Sequence, residues 1–307
     1  MRASYARPGV AYAALILSLT AATLSGQRPD SYPPPKIQFV DVEPDVRLEV
    51  IDWGGRGRAV VLLAGGGDTA HIYDQFAPKL TPEYHVFGIT RRGFGASSKP
   101  KTGYSAESLA NDVLHVLDAL KLERPVLAGH SAAGEEMSSI GARYSNRIAA
   151  LIYLDAAWDN TYVLPKDNER SADFDKVGIP SQPKPDPERF DPRDALGAGV
   201  EKPDYAHIRV PALALYAAPR TWQEMMPGAP EFSDPERRAA AERVVAYAAR
   251  TRKFMEDTFR SGVANSRVVE VRGASHYLFQ THEADVLRNM REFLEIVKQQ
   301  RTDTIPR

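Results

Sequence analysis

The chain has 307 residues, 43% of them hydrophobic and 26% charged, which is enough apolar surface to bury one large core or two small ones. Its 39 basic and 40 acidic residues leave a net charge of −1, with no basic run that could follow a phosphate backbone, so nucleic acid is not an expected partner. It has no cysteine, which excludes disulfides and a lipid-modified cysteine.

The first 26 residues differ in composition from the rest. Arg2 and Arg7 precede an apolar run at residues 10–24, and small residues at 22–26 suit a signal peptidase. The run is shorter than the roughly 20 residues that a membrane anchor needs. We therefore expect residues 1–26 to be a signal peptide for export to the periplasm or medium, with no stable membrane insertion after its removal.

Short apolar runs then alternate with helix-like stretches. A proline-rich lead-in at residues 27–38 is followed by "VRLEVIDWGG", which is typical of an outer antiparallel strand. Continuous apolar strands separated by helices predict an α/β fold with a mostly parallel central sheet and helices on both faces. The runs lie at 59–65, 85–90, 125–129, 149–155, 210–217 and 266–273, and the helix-like stretches at 105–120, 132–144 and 285–299.

Two long segments interrupt this alternation. Residues 158–209 contain seven prolines and no clear period, which predicts a lid or cap inserted between core segments 39–157 and 210–300. Residues 219–265 contain a long helical pattern. There Ser233 is the expected N-cap, with Pro235 in the first turn and Glu236 completing a capping box.

The stretch "PVLAGHSAAGEEMSS" at residues 125–139 places one serine where a buried strand ends and a helix begins. A strand, a sharp turn at Ser131 and an immediate helix are typical of a nucleophile elbow, which lifts the hydroxyl above the carboxyl end of the sheet. The usual signature is G-x-S-x-G, whereas here the fifth position is Ala133 and Gly134 follows it. The alternative is a serine that only caps a helix.

Such a serine needs an oxyanion hole and a base. The first parallel strand ends in "LLAGGGDTA", so the Gly66 and Ala132 N–H groups are the expected donors to a developing oxyanion, with an ordinary glycine turn as the alternative.

Of seven histidines, His276 directly follows the last strand and is the candidate base. His130 should support the elbow, and His71 either lines the pocket or has no role.

The chain resembles an α/β-hydrolase with a serine nucleophile over about residues 47 to 299. Four motifs carry the resemblance, in the family's order: "LLAGGGDTA", "ITRRGFGASS", "GHSAAG" and "GASHYLF". The resemblance implies that Ser131 attacks, His276 transfers the proton and no metal or cofactor is required. The chain departs from the family's pattern at three places. Ala64 replaces a frequent histidine, Arg91 replaces a frequent aspartate before Arg-Gly-x-Gly, and "LYAAPRTW" has no carboxylate until Glu224.

The acid that orients His276 must therefore come from elsewhere. Asp155 ends the strand reached from the elbow through a single helix, so it should lie beside the serine strand at the same edge of a parallel sheet. Some members of the family carry the acid after this strand. Asp159 and Glu224 are the rivals, and Asp155 could also merely cap a turn.

We expect a hydrolase that cleaves small-molecule carboxylic esters through an acyl-enzyme, with the lid shaping the substrate pocket. The alternatives are a serine-dependent enzyme acting on carbon–carbon or amide bonds, a perhydrolase, and a binding protein of this fold that has lost its chemistry. Dehalogenases and epoxide hydrolases of this fold use an aspartate nucleophile, so Ser131 argues against those activities. The sequence leaves the substrate and the oligomeric state open.

Overall fold

The computed structural model describes residues 32–162, 168–179 and 189–302, and these contain an eight-stranded sheet. The strand order is β1-β2-β4-β3-β5-β6-β7-β8. The pairs β1–β2 and β2–β4 are antiparallel, and the other neighbours are parallel. The strands are β1 (Lys36–Glu43), β2 (Val46–Gly54), β3 (Ala59–Leu63), β4 (His85–Ile89), β5 (Val126–His130), β6 (Ala150–Leu154), β7 (Ala212–Ala218) and β8 (Ser266–Arg272).

Helices cover both faces of this sheet. On one face α1, α2 and the C-terminal part of α6 pack against the strands, and on the other face α8 does so together with 3-10 turns at 70–73 and 77–79. The α-helices of the described residues are α1 (Ala106–Ala119), α2 (Ala133–Arg143), α3 (Asn168–Lys176), α4 (Pro192–Ala198), α5 (Trp222–Met225), α6 (Pro235–Gly262), α7 (Leu278–Thr281) and α8 (Glu283–Thr302).

The apolar runs form the strands because a parallel sheet covered on both faces buries every side chain. All residues of β5, β6 and β7 are buried. In β6, Leu151 packs in the cluster under α2, whereas its neighbour Ile152 packs in the cluster under α8. Alternate side chains thus enter opposite layers, which is why the runs are continuously apolar rather than alternating.

The predicted α/β fold is confirmed, and the element boundaries differ only in detail. The N-cap of α6 is Asp234 rather than Ser233, because the Asp234 side chain accepts the Glu236 N–H at 2.9 Å. β1 begins at Lys36, inside the lead-in that was placed at 27–38.

Two predicted segments fall wholly or partly outside the residues that the structure describes. The signal peptide at 1–26 lies outside them, so export stays a prediction. Of the lid at 158–209, residues 163–167 and 180–188 also lie outside, and the described part contains α3 and α4. Across the described ranges, the structure contains no helix that is both long and apolar enough to cross a membrane.

The register of the parallel strands brings the predicted site residues to one edge of the sheet. Leu63 of β3 pairs with Gly129 of β5, and His130 of β5 pairs with Leu154 of β6. The residues that follow these strands therefore emerge side by side. This edge carries the glycine loop, Ser131 and Asp155.

Gly134, displaced by one position from the usual motif, packs α2 against the segment after β6. A Cβ atom there would lie 1.8 Å from the backbone oxygen of Ala156. We expect Gly134→Ala to destabilise the protein by about 1–3 kcal/mol, as overpacking does when the backbone must shift. Gly141→Ala on the same helix is the matched control, since its Cβ would meet the movable end of Leu151 at 2.7 Å.

Urea unfolding of both variants measures this difference. The smaller loss is expected for Gly141→Ala, because a side-chain end can move where a carbonyl group cannot. Equal losses in the two variants would contradict a special role for the close approach at Gly134.

Candidate active site

Ser131 occupies a strained turn between β5 and α2. Its φ is +54°, in the left-handed region that residues other than glycine rarely adopt. Its N–H donates to the Leu154 oxygen at 3.3 Å, and its own carbonyl accepts the Gly134 N–H at 3.0 Å. A strained backbone conformation persists only where the surrounding structure holds it in place. Here β5 on one side and α2 on the other hold Ser131.

Asp155 occupies the equivalent turn after β6, also at positive φ (+50°). Its N–H donates to the Leu215 oxygen at 2.7 Å, and its Oδ1 accepts the Ala217 N–H at 3.1 Å. The Trp158 indole N–H donates to its carbonyl at 2.9 Å. The carboxylate is therefore fixed against β7, with Oδ2 left for one further partner.

That partner is His276, which lies in the loop between β8 and α7. Its Nδ1 is 2.7 Å from Asp155 Oδ2, and both side chains are buried. A carboxylate only accepts, so Nδ1 carries the proton and Nε2 of the neutral ring is an acceptor. Nε2 has no hydrogen-bond partner among the described residues. Among the described residues, the pair thus leaves Nε2 as an acceptor that no donor engages.

The rival carboxylates are engaged elsewhere. Asp159 Oδ1 accepts the N–H of Thr161 at 3.0 Å and its hydroxyl at 2.5 Å, which makes it a turn cap. Glu224 is bound by Arg220, whose hydrogen bonds lower the pKa of this carboxyl to about 2. Of the three candidates, Asp155 is the one in contact with His276.

The glycine loop after β3 comes directly against the serine turn. A Cβ at Gly65 would lie 2.9 Å from His130 Nδ1, 3.2 Å from Ser131 Cβ and 3.3 Å from Asp68 Oδ2, so only glycine fits without displacing them. Within the described part of the chain, the Gly66 and Ala132 N–H groups donate no hydrogen bond. Both amides are therefore available to a ligand at this edge.

His130 supports the loop that carries His276, as expected for the residue before the serine. Its Nε2 donates to the His276 carbonyl at 3.0 Å, and its ring lies 4.4 Å from the His276 ring and 4.8 Å from the Tyr277 ring between centroids. Burial lowers the pKa of His130 well below its usual range, so the ring stays neutral. His71 instead bonds Asp74 at 2.9 Å and makes no hydrogen bond or ion pair with Ser131 or His276 in the described structure.

Sequence reasoning assigned no role to several polar residues around this edge. Tyr277 donates its hydroxyl to Asp68 Oδ2 at 3.1 Å, and burial raises the pKa of Asp68. Arg193, from the predicted lid, lies with its Nε 3.4 Å from where a Cβ of Gly67 would be. Arg91 donates to the carbonyls of the glycine loop. None of these contacts has a local sequence signal, because each joins residues that are distant in the chain.

Within the described ranges, no group of three or more histidine, aspartate or glutamate side chains is arranged to hold a metal ion.

Glu135, in the first turn of α2, gives the protein a pH dependence of its own. Burial raises the pKa of this carboxyl to about 7, although the Asn160 amide and the Glu201 N–H donate to it at 2.7 and 3.2 Å. Between its ordinary pKa of 4.5 and about 7, the folded chain keeps a proton that the unfolded chain has lost. This residue therefore makes stability fall as pH rises through that window.

We expect Glu135→Gln to remove this dependence. The free energy of unfolding of the variant, minus that of wild type, should be about 1–3 kcal/mol larger at pH 8 than at pH 4.5. The size follows because one pKa unit corresponds to about 1.4 kcal/mol. Urea unfolding at the two pH values measures it, with Glu292→Gln on the exposed face of α8 as the control. The same wild-type pH slope in Glu135→Gln would contradict this assignment.

Comparison with known proteins identifies the fold. The fold is similar to that of carboxylesterase CesB from Bacillus subtilis, with a TM-score of 0.59 and 15% identity over 85% of this chain and 92% of that one. A family model described as the alpha/beta hydrolase fold matches residues 58–177. The chain therefore has the alpha/beta hydrolase fold.

Two curated relatives match the chain over shorter segments. A putative non-heme haloperoxidase of Mycobacterium phage D29 is 33% identical over 104 residues, which are 34% of this chain and 37% of that protein. A fluoroacetate dehalogenase of a Burkholderia species is 32% identical over 138 residues, 43% of this chain and 44% of that one. The chain thus aligns with less than half the length of each of these relatives.

Proposed function

We propose that this alpha/beta hydrolase cleaves small carboxylic esters through an acyl-enzyme on Ser131. The observation that carries the proposal is the buried Asp155–His276 hydrogen bond of 2.7 Å, at the sheet edge where Ser131 is held at positive φ. An oriented imidazole with a free acceptor nitrogen, at the same sheet edge as a serine in a sharp turn, is the arrangement that activates a hydroxyl nucleophile.

In the first half of the reaction, Ser131 Oγ attacks the ester carbonyl carbon while His276 Nε2 takes its proton. Asp155 stabilises the imidazolium through the hydrogen bond on Nδ1. The Gly66 and Ala132 amides donate to the carbonyl oxygen as it becomes an oxyanion. The tetrahedral intermediate collapses, the C–O bond to the alcohol breaks, and His276 returns the proton to the leaving alkoxide.

In the second half, water replaces the alcohol. His276 takes a proton from water as its oxygen attacks the acyl carbon, and the same two amides hold the second oxyanion. Collapse breaks the bond to Ser131, which regains its proton from His276, and the carboxylic acid leaves. Each of the two amide donors is expected to contribute roughly 10²–10³ in turnover, the size measured for single oxyanion-hole donors elsewhere.

The nucleophile favours ester hydrolysis over the chemistry in the name of the dehalogenase relative. In this fold dehalogenation relies on an aspartate at the elbow, whereas the elbow here carries Ser131. The haloperoxidase relative supports one alternative, in which hydrogen peroxide rather than water attacks the acyl-enzyme and a peracid is released.

A panel of purified-protein assays tests the proposal. We expect p-nitrophenyl esters of short acids to be turned over with a higher kcat/KM than p-nitroacetanilide, a γ-lactone, or acetate with hydrogen peroxide. Ser131→Ala prepared in parallel sets the background for contaminating esterases. A preference for the anilide or for peracid formation would move the function to that alternative, and absence of turnover on every ester would contradict the proposal.

A further inference from the structure

A buried ion pair joins the glycine loop to the helix that follows Ser131. Arg91, in the segment after β4, donates through Nη1 to the Gly65 oxygen at 3.2 Å and through Nη2 to the Ala64 oxygen at 3.0 Å. The same Nη2 lies 2.5 Å from Oε1 of Glu136 on α2. Both side chains are buried, with 5% and 3% of their surface exposed.

The bond to Gly65 fixes the direction of the neighbouring amide. The Gly65 carbonyl and the Gly66 N–H belong to one peptide group, which is planar and trans, so the two point in opposite directions. While Arg91 holds the carbonyl, the N–H must face away from the guanidinium. A flip of this peptide would break the bond and would turn the oxygen to where the N–H had been.

We infer that Arg91, held by Glu136, is a positioning residue for the oxyanion hole, an inference that rests on the ester hydrolysis proposed above. The two donor amides come from different elements, Gly66 from the loop after β3 and Ala132 from the start of α2. The guanidinium bonds the first element directly and the second through Glu136. It thereby fixes the position of the Gly66 amide relative to that of the Ala132 amide.

Two departures from the family's motifs thus lie in contact with each other. Ala64 has no polar side chain with which to support the loop, and Arg91 supplies that support from the next strand end. The sequence shows both substitutions, while only the structure shows that one contacts the other.

The energetics also favour a positioning role over a stabilising one. Arg91 Nε and Glu136 Oε2 have no hydrogen-bond partner within the described residues. A buried pair with unsatisfied atoms recovers little beyond its desolvation cost, and replacing such pairs with apolar residues is often neutral or stabilising. Apolar replacements would meet mostly apolar neighbours, since the small cavity beside the pair is lined by Leu48, Leu63, Ile89, Leu109 and Val113 as well as Asp112.

The test removes both charges together, because removing one would leave the other buried and unpaired. The double variant Arg91→Met/Glu136→Leu should unfold near the wild-type Tm. Its kcat on the best ester should fall roughly 10–100-fold with KM changed less than about threefold, a part of the loss expected when an oxyanion donor is removed.

The matched control is Arg92→Met/Asp112→Leu. This neighbouring buried pair has Nε–Oδ2 at 2.7 Å and Nη2–Oδ1 at 2.5 Å, and Arg92 also bonds the half-exposed Glu43 at 2.6 Å. It makes no hydrogen bond to the glycine loop in the described structure. Its kcat should stay within about threefold of wild type. Glu136→Gln is a second, milder variant, expected to lose about 3–10-fold in kcat at constant KM if the double variant does not fold.

Turnover of the folded double variant within threefold of wild type would overturn the inference. So would an equal loss in the control, or full activity of Glu136→Gln where the double variant does not fold. A wild-type protein without esterase activity would instead be a failure of the proposed function, so the two failures are distinguishable.

Discussion

Ser131→Ala is expected to lower turnover of the best ester by about 10⁶, the size of the loss when the nucleophile of a serine triad is removed. Alanine cannot form the acyl-enzyme, so only the residual effect of binding and of the Gly66 and Ala132 amides remains. The fold should be unaffected, because the serine side chain makes no hydrogen bond to the described residues. Steady-state kinetics with an active-site titration measures the loss, and Tm checks the fold.

Ser139→Ala is the matched control for this substitution. Ser139 is a buried serine on the adjacent helix α2 whose Oγ has no hydrogen-bond partner in the described structure. Its variant should keep turnover within about threefold. An active Ser131→Ala protein, freed of contaminating esterase, would contradict the assignment of the nucleophile.

Asp155→Asn is expected to lower turnover by about 10⁴, as the corresponding change does in a serine triad. The structure gives the reason at the level of single atoms. Oδ1 accepts the Ala217 N–H, so the asparagine must keep its oxygen on that side and turn its NH₂ group toward His276 Nδ1. Nδ1 then has to accept a hydrogen bond from the asparagine, so the ring proton moves to Nε2. His276 loses the acceptor nitrogen that the proposed mechanism requires.

Asp159→Asn and Glu224→Gln are the controls, and each should change turnover by less than about tenfold. The readout is kcat on the best ester, with Tm and the KM of each variant to separate loss of chemistry from loss of fold or binding. Near-wild-type turnover in Asp155→Asn, together with collapse in either control, would move the acid to that residue.

Much of the architecture follows from local pattern. Continuous apolar runs predicted the parallel strands, because every strand side chain in a doubly covered sheet is buried. The place of Asp155 followed from one further step, since a strand reached through a single helix is the neighbour of the one before it. The register pairs His130 with Leu154, so Ser131 and Asp155 leave adjacent strands together.

What sequence reasoning missed lies in contacts between distant segments. Arg91 and Glu136 are 45 residues apart, and Asp68 and Tyr277 are 209 apart, so no periodicity or spacing links them. The predicted N-cap of α6 was wrong by one residue, because serine and aspartate are equally good caps and Ser233 and Asp234 are adjacent. Such a choice depends on the backbone angle at which the chain enters the helix.

The central claim, that Ser131 is a nucleophile activated by the Asp155–His276 pair, is tested most directly by a fluorophosphonate probe. Digestion and mass spectrometry of the treated wild-type protein should show one adduct, on the peptide containing Ser131, and slower labelling in Asp155→Asn. No adduct on the folded wild-type protein, or labelling that persists in Ser131→Ala, would contradict the claim.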